Sequence, residues 1–276
     1  MALAESKPAG ARPPLIEISN ATVWRGSTRV FENFSLTIDQ GECVVILGPN
    51  GSGKTTLLKL VNRELYPVAG EGGRVRILGR SRWNVWDLRR HIGLVSPDLQ
   101  FGFLPSSSGL EAILSGFFAS IGVHAQLWDE IEPTQVERAE AVMEQLGLAD
   151  LRDRAFDTLS TGQQRRCLLG RALVHEPDTL ILDEPTAGLD MAAGFQYLAQ
   201  IRALARKGRN LVLVTHHLDE IPPEVDRVVL LKAGKIVADG CKQAVLTSER
   251  LSDVYETAIR VSEVDGHYLA YPGPAA

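Results

Sequence analysis

The chain has 276 residues and a formal net charge of −5 at pH 7, with a sequence pI of about 5.7. This length can bury a sizeable core in one or two domains, and an acidic chain without a block of Lys and Arg argues against nucleic acid as its main partner. Three widely separated cysteines, Cys43, Cys167 and Cys241, indicate neither a zinc site nor a disulfide framework and are typical of the reducing cytosol.

The opening segment and the longest apolar stretch carry no membrane signal. Residues 1–14 are polar and rich in proline, so they predict a disordered tail and not a signal peptide. Residues 109–123 form the longest apolar stretch, but they include Glu111 and fall short of the roughly 18 residues that a span requires. The sequence therefore predicts no segment that crosses a membrane.

The first third of the chain predicts a layer of strands. Residues 34–38 alternate between apolar and polar side chains, and residues 16–23 and 74–78 show similar patterns. Between them, residues 43–47 form a continuous apolar run, which is typical of a buried strand.

A phosphate-binding loop follows that buried strand. Residues 48–56 fit the pattern GxxxxGK[ST], whose glycines let backbone N–H groups point at a phosphate, beside the positive end of a helix starting near Thr55. Lys54 is placed to reach the β- and γ-phosphates, and the Thr55 hydroxyl to bind Mg²⁺. A glycine-rich turn without a ligand is the weaker alternative. The candidate residues are Gly48, Pro49, Asn50, Gly51, Ser52, Gly53, Lys54, Thr55 and Thr56.

The middle of the chain predicts a helical subdomain. Thr134 to Glu137 has the pattern of a capping box, and Gly147 is a suitable C-terminal stop for the helix between them. The apolar positions Val136, Ala139, Met143 and Leu146 fall on one face of that helix.

The last third predicts further strands of an α/β core. Residues 179–183 and 211–215 are short apolar runs separated by a helix-length segment, as in buried parallel strands. Residues 228–232 and 235–238 predict a hairpin around Ala233-Gly234. The end of the chain, up to Pro274, carries no recognisable pattern.

Two carboxylates, Asp183 and Glu184, end the first of these strands. In a phosphate-loop protein the first carboxylate typically supports Mg²⁺, and the second lies where an attacking water could be oriented. A solvated loop is the alternative for this pair taken alone.

The surrounding motifs add a family resemblance. Leu159-Ser160-Thr161-Gly162-Gln163-Gln164-Arg165 lies upstream of the carboxylates and Pro185 to Asp190 follows them. With the phosphate loop, in this order, these segments resemble the ATP-binding-cassette (ABC) ATPases over residues 15–240, with Thr161 where the family more often has Gly. The resemblance implies an α/β fold: a P-loop NTPase (RecA-like) core with a parallel sheet, an N-terminal antiparallel β-layer and an inserted helical subdomain.

The resemblance also implies domain limits and partners. It implies a nucleotide-binding core at 15–90 and 154–245, a helical subdomain at 91–153 and a C-terminal extension at 246–276. A single chain would hold half of each ATP site, because the segment Ser160, Thr161, Gly162 and Gln163 of one subunit closes over nucleotide held by the other. It therefore implies a head-to-tail homodimer that closes on ATP.

Individual roles follow from the same resemblance. Trp24 would stack on adenine, Asp183 would assist Mg²⁺ and Glu184 would be the catalytic base. Asp190 would lie at the dimer seam and His216 would contact the γ-phosphate. Two alternatives stay open: Trp24 packing on the β-layer, and either His216 or its neighbour His217 being a plain surface residue.

The chain departs from the family at Pro97. Relatives carry at this position a glutamine that touches Mg²⁺ and responds to the membrane partner, a role that proline cannot fill because it has no side-chain donor and no N–H. Gln100 could substitute if the loop bulges. The departure resembles the branch called molybdate-type ATP-binding proteins, and residues 122–135 look enlarged, either as a partner surface or as a solvated loop.

Two functions therefore remain open. The first is the ATP-hydrolysing subunit of a transporter, held at the cytoplasmic face of a membrane by a separate transmembrane subunit. The second is a soluble ATP-driven switch that moves no solute.

Overall fold

The structure is a computed structural model that describes residues 12–123 and 125–274 of the chain, without the side chains of 125 and 126. Residues 1–11 of the predicted tail lie outside the described residues. The strands within the described residues are β1 (Ile16–Arg25), β2 (Thr28–Ile38), β3 (Cys43–Leu47), β4 (Arg74–Ile77), β5 (Ile92–Val95), β6 (Thr179–Asp183), β7 (Asn210–Thr215), β8 (Arg227–Lys232), β9 (Lys235–Cys241), β10 (Ile259–Val264) and β11 (His267–Pro272).

Helices separate most of these strands. They are α1 (Lys54–Val61), α2 (Val85–His91), α3 (Pro97–Phe101), α4 (Gly109–Leu114), α5 (Ala125–Trp128), α6 (Pro133–Gln145), α7 (Thr161–Leu173), α8 (Met191–Arg206), α9 (Lys242–Val245) and α10 (Ser248–Tyr255). None of the helices in the described ranges is long and apolar enough to traverse a membrane.

The central sheet has the strand order β5-β6-β7-β3-β8-β9. Its first five strands run parallel and β9 runs antiparallel to β8. The apolar runs of β3, β6 and β7 are buried, as expected of parallel strands covered on both faces. Because parallel strands end at the same edge, the loops after β3, β6 and β7 meet there. The predicted fold class and the predicted hairpin β8-β9 are confirmed.

A small antiparallel sheet, β2-β1-β4, covers one face of the central sheet. Its inward residues form one hydrophobic core with α1, and Phe31 stacks on Phe34 within that core. A second core lies on the other face and includes the helical middle segment and α8. Strand β1 runs past the predicted end at Val23 to Arg25, so Trp24 lies within this strand.

The predicted start of helix α6 is wrong. The helix begins at Pro133 and its N-cap is Glu132, whose N–H donates to the Gln135 side chain at 3.0 Å. Proline has a fixed φ that suits the first helical position, which places the N-cap at Glu132, two residues before Thr134. The predicted stop is present: Gly147 has φ 65° and Leu148 N–H bonds the Met143 carbonyl at 2.8 Å, a Schellman motif.

The segment 122–135, which looks enlarged in the sequence, packs partly against the second hydrophobic core. Helix α5 lies within it, and Leu127 and Ile131 pack against the second hydrophobic core. These contacts disagree with a fully solvated loop, because apolar side chains on both sides of Trp128 are withdrawn from water.

The end of the chain forms a hairpin that the sequence analysis did not predict. Strands β10 and β11 pair antiparallel around Asp265 and Gly266, which both have positive φ (52° and 78°). Asp-Gly is a favoured pair for this type of two-residue turn, so the signal was present in the sequence. Tyr268 of this hairpin is 3 % exposed and belongs to the same core as the helical segment.

Candidate functional site

The loop between β3 and α1 admits only glycine at two points. A Cβ on Gly48 would lie 2.4 Å from the carbonyl oxygen of Leu231, and one on Gly53, at φ 108°, would lie 2.7 Å from the ring of Phe31. The Lys54 ammonium donates to a loop carbonyl, that of Gly48, at 2.7 Å. The loop is thus tightly curled and closely packed against its neighbours.

Helix α1 directs an uncapped N-terminus into this loop. Its N-cap is Gly53, which supplies no side-chain acceptor, and no acidic residue occupies its first turn. The first N–H groups of a helix have no partner within the helix and carry the positive end of its dipole. With Lys54 as its first residue, this helix end is suited to an anion such as phosphate.

Predicted residues from before the loop (Trp24), from the loop itself and from the end of β6 line a common cavity of about 990 Å³. A cavity of this size can hold a nucleotide. Trp24 lies in its wall with 46 % of its surface exposed, which leaves an indole face open and does not match a side chain packed into the β-layer. The wall also contains Asn50, Gly51, Gly53, Lys54, Thr55, Thr56, Asp183 and Glu184.

Asp183 is held as a desolvated carboxylate beside this cavity. Burial raises its pKa to about 6, with further contributions from Glu184 and Asp98, against the opposing effect of Lys54. Burial likewise lowers the pKa of Lys54. Within the described residues Asp183 forms no salt bridge, and it shares the cavity wall with the Thr55 hydroxyl. A buried carboxylate and a hydroxyl are oxygen donors of the kind Mg²⁺ prefers, so these residues fit that ion.

Glu184 and His216 meet across the loops after β6 and β7. The Nδ1 atom of His216 lies 2.9 Å from Glu184 Oε1, and the Glu184 N–H donates to the Val214 carbonyl at 2.8 Å. Both side chains are about 30 % exposed; Glu184 lines the large cavity, whereas His216 borders a separate depression with Tyr255. Of the two neighbouring histidines, the structure brings His216 to the carboxylate, while the His217 ring lies tilted against the His216 ring, with the two centroids 3.9 Å apart.

The segment Ser160 to Gln163, which is predicted to close over a nucleotide held by the other subunit, lies on a different surface. Ser160 caps α7 by accepting from the Gln163 N–H at 3.3 Å, and Asp190 caps α8 by accepting from the Ala193 N–H at 2.8 Å. These two helix starts border a shallow depression of about 250 Å³, together with Gly162. Thr161 is exposed beside them. One chain therefore presents the two predicted groups of nucleotide contacts separately.

The segment after β5 brings an acid, Asp98, to the large cavity beside Pro97. Pro97 begins α3 and lines the large cavity with Asp98. Gln100 instead donates to Gln164 of α7 at 2.7 Å, so it does not replace the missing glutamine. The sequence analysis missed Asp98, although its position directly after Pro97, in the altered loop, was a usable signal.

The comparisons with known proteins agree with this geometry. The family model described as ABC transporter matches residues 31–187, more than half of the chain. Over 252 residues the chain is 35 % identical to YlmA of Bacillus subtilis, an uncharacterized ABC transporter ATP-binding protein, covering 90 % of this chain and 93 % of the relative. It is 37 % identical over 225 residues to the cobalt import ATP-binding protein CbiO of Rhodobacter capsulatus, covering 80 % and 76 %.

Solved structures show the same fold. An ATP-binding cassette of an ABC transporter in its ADP conformation matches with a TM-score of 0.74 at 25 % identity, covering 88 % of this chain and 99 % of that one. A dimeric cassette in a post-hydrolysis state, bound to ADP and Pi, matches with a TM-score of 0.68 at 26 % identity, covering 82 % and 98 %. The chain belongs to the ABC transporter family, as one of its ATP-binding and ATP-hydrolysing proteins.

Proposed function

We propose that two copies of this chain bind two ATP molecules head to tail, and that closure and hydrolysis drive a separate membrane partner. The observation that carries the proposal is the separation of the two nucleotide-contacting groups. The large cavity holds the phosphate loop, whereas Ser160, Gly162 and Asp190 border another surface. A second copy can bring the missing half to each cavity, since a head-to-tail pair exchanges the two surfaces.

Within each site the residues take distinct roles. Trp24 offers its exposed face to the adenine ring, the N–H groups at the start of α1 and Lys54 hold the phosphates, and Ser160 and Gly162 of the second copy face the γ-phosphate. Thr55 and Asp183 hold Mg²⁺, which neutralises charge on the phosphate oxygens when bound.

Glu184 acts on the attacking water. Its carboxylate accepts the proton of that water, and His216, at 2.9 Å, orients the carboxylate and contacts the γ-phosphate. The backbone of Glu184 is also held in place, because its N–H donates to the Val214 carbonyl.

A groove between the nucleotide-binding core and the predicted helical subdomain (residues 91–153) suits a membrane partner. It has a volume of about 240 Å³ and is lined by apolar residues of α1, α2 and β5 and by the half-buried Arg171. Phe101, 87 % exposed, lies one turn along from Asp98, which lines both this groove and the nucleotide cavity. A partner bound here would therefore contact the segment that touches the nucleotide.

The relatives support transport. They include import proteins named for cobalt, phosphonates and hemin, so the solute is not common to them. The site would then face the cytoplasm beside the membrane subunit. The resemblance to molybdate-type proteins stays a prediction that depends on Pro97 alone. A soluble switch is the second candidate, favoured by the replacement of the coupling glutamine and by the engagement of Gln100 with Gln164.

The test uses the Glu184→Gln variant, which keeps the shape of the side chain but removes the base. With ATP it should elute from gel filtration as a dimer, and the double variant with Lys54→Ala should remain a monomer. Tagged Glu184→Gln protein is then recovered with ATP from membrane and soluble fractions. A stoichiometric multi-span membrane protein supports the transporter, whereas soluble partners alone support the switch.

A further inference from the structure

Glu220 is a buried carboxylate that none of the recognised motifs contains. It is 1 % exposed and lies in the loop after β7, four residues beyond His216. Burying a carboxylate is costly unless hydrogen bonds or a nearby cation compensate for the lost water. Glu220 must therefore have compensating partners at the carboxyl edge of the sheet.

The hydrogen bonds of Glu220 join two loops. Its Oε1 accepts from the Thr186 N–H at 3.0 Å and also from the Thr186 hydroxyl. Its Oε2 accepts from the Thr215 hydroxyl, whose oxygen accepts from the His217 N–H at 2.9 Å. One carboxylate thus links the segment after β6 to the end of β7.

These two segments carry the reacting side chains. Thr186 lies two residues after Glu184, and Thr215 directly precedes His216. Glu184 has φ 43°, a left-handed conformation that a residue with a Cβ adopts only when its surroundings impose it. The contacts at residue 186 are among those that can impose it.

The segment after β6 is also held from the opposite side. Arg165 of α7 is 2 % exposed and donates from Nη2 to the carbonyl of Ala187 at 3.3 Å. Its guanidinium lies within electrostatic reach of Glu220, which compensates part of the cost of burying both charges. Thr186 and Ala187 are therefore fixed between the helix that begins at Ser160 and the loop that carries His216.

We propose that Glu220 is a positioning residue for ATP hydrolysis. By accepting hydrogen bonds from Thr186 and Thr215, it holds Glu184 and His216 in place relative to each other. The inference rests on the roles proposed above for Glu184 and His216. It predicts that loss of the carboxylate displaces the catalytic pair without disturbing the phosphate loop, so the rate of the chemical step falls and ATP binding does not.

The experiment compares Glu220→Ala with Glu224→Ala. Glu224 is a carboxylate in the same loop that pairs with Arg202 and Arg206 of α8 and touches neither catalytic segment. Glu220→Ala should lower kcat by about 10- to 100-fold with KM for ATP unchanged, since a misplacement of about 1 Å can cost that much. Glu224→Ala should leave both constants unchanged. Equal kcat values for Glu220→Ala and wild type would overturn the proposal.

Conservative variants separate positioning from general stability. Glu220→Gln keeps an oxygen for Thr186 and offers an amide donor to Thr215, so it should restore kcat to within about 5-fold of wild type. Thr186→Val and Thr215→Val should each lower kcat, and neither should lower it further in the Glu220→Ala background.

If Glu220→Ala does not fold, the two valine variants decide the question. Retention of wild-type kcat by both would refute the role. Failure of the proposed function is distinguishable, because it would appear as unchanged hydrolysis in Glu184→Gln itself.

Discussion

The two halves of the nucleotide machinery are built in contrasting ways. The phosphate-loop cavity has a volume of about 990 Å³, and its side chains are partly buried and hydrogen-bonded, Lys54 to the Gly48 carbonyl and Glu184 to His216. The surface at Ser160 and Asp190 borders a smaller depression of about 250 Å³, and these two exposed side chains accept from N–H groups at the starts of their own helices. This difference favours the proposed head-to-tail pair, in which the exposed group would act only when a second copy faces the cavity.

The largest effect is expected inside the cavity. Lys54→Ala removes the ammonium that faces the phosphates and holds the loop carbonyls, so turnover should fall by more than about 100-fold. Fluorescent-nucleotide binding and phosphate release measure the change. Lys207→Ala, at the exposed end of α8, is the control and should behave as wild type. Unimpaired hydrolysis by Lys54→Ala would refute the site assignment.

A change at the exposed half should act only through the second copy. Gly162→Asp puts a negative charge at the start of α7, so single chains should bind ATP normally while hydrolysis falls by about 10- to 100-fold. Mixing this variant with Lys54→Ala should restore activity, because one of the two sites in the mixed dimer is intact. A mixture as inactive as its components would contradict the head-to-tail arrangement.

The partly buried Asp183 carboxylate should make the thermal stability of the protein depend on pH, an effect specific to the phosphate-loop cavity. Because burial raises its folded pKa to about 6 from 3.8, the charged form destabilises the nucleotide-free protein above pH 6. Asp183→Asn should therefore raise the Tm at pH 8. The gain should shrink as the pH falls from 6 towards 4, where wild-type Asp183 is protonated when folded. Thermal melts in the presence of a chelator check this, and a gain that is equal at pH 4 and pH 8 would contradict it.

The smallest effect is expected at the turn of the C-terminal hairpin, where Gly266 lines neither of the two cavities. Gly266→Ala places a Cβ at φ 78° and 3.2 Å from Pro223, which should cost about 1 kcal/mol and lower the Tm by about 2–4 °C. The hydrolysis rate should be unchanged at 25 °C. Ser262→Ala, on the exposed strand of the same hairpin, serves as the control for stability.

Features that depend on residues close together in the sequence were the easiest to predict from it. The phosphate loop, the buried strands and the stop at Gly147 depend on neighbouring residues, and they are present as predicted. The start of α6 was misplaced because Pro133 competed with the capping pattern at Thr134. The final hairpin was overlooked although its turn, Asp265-Gly266, is a local signal.

The sequence by itself determined the family and the order of the motifs, and it predicted the candidate phosphate-binding residues, because each motif encodes its own short-range geometry. Only the tertiary structure decided that His216 meets Glu184, that Asp98 lines the cavity while Gln100 turns to Gln164, and that Glu220 joins two loops. Most of these contacts join residues more than 30 positions apart, and all depend on the strand order β5-β6-β7-β3 of the central sheet. Strand order is a property of the folded sheet, so no local pattern specifies it.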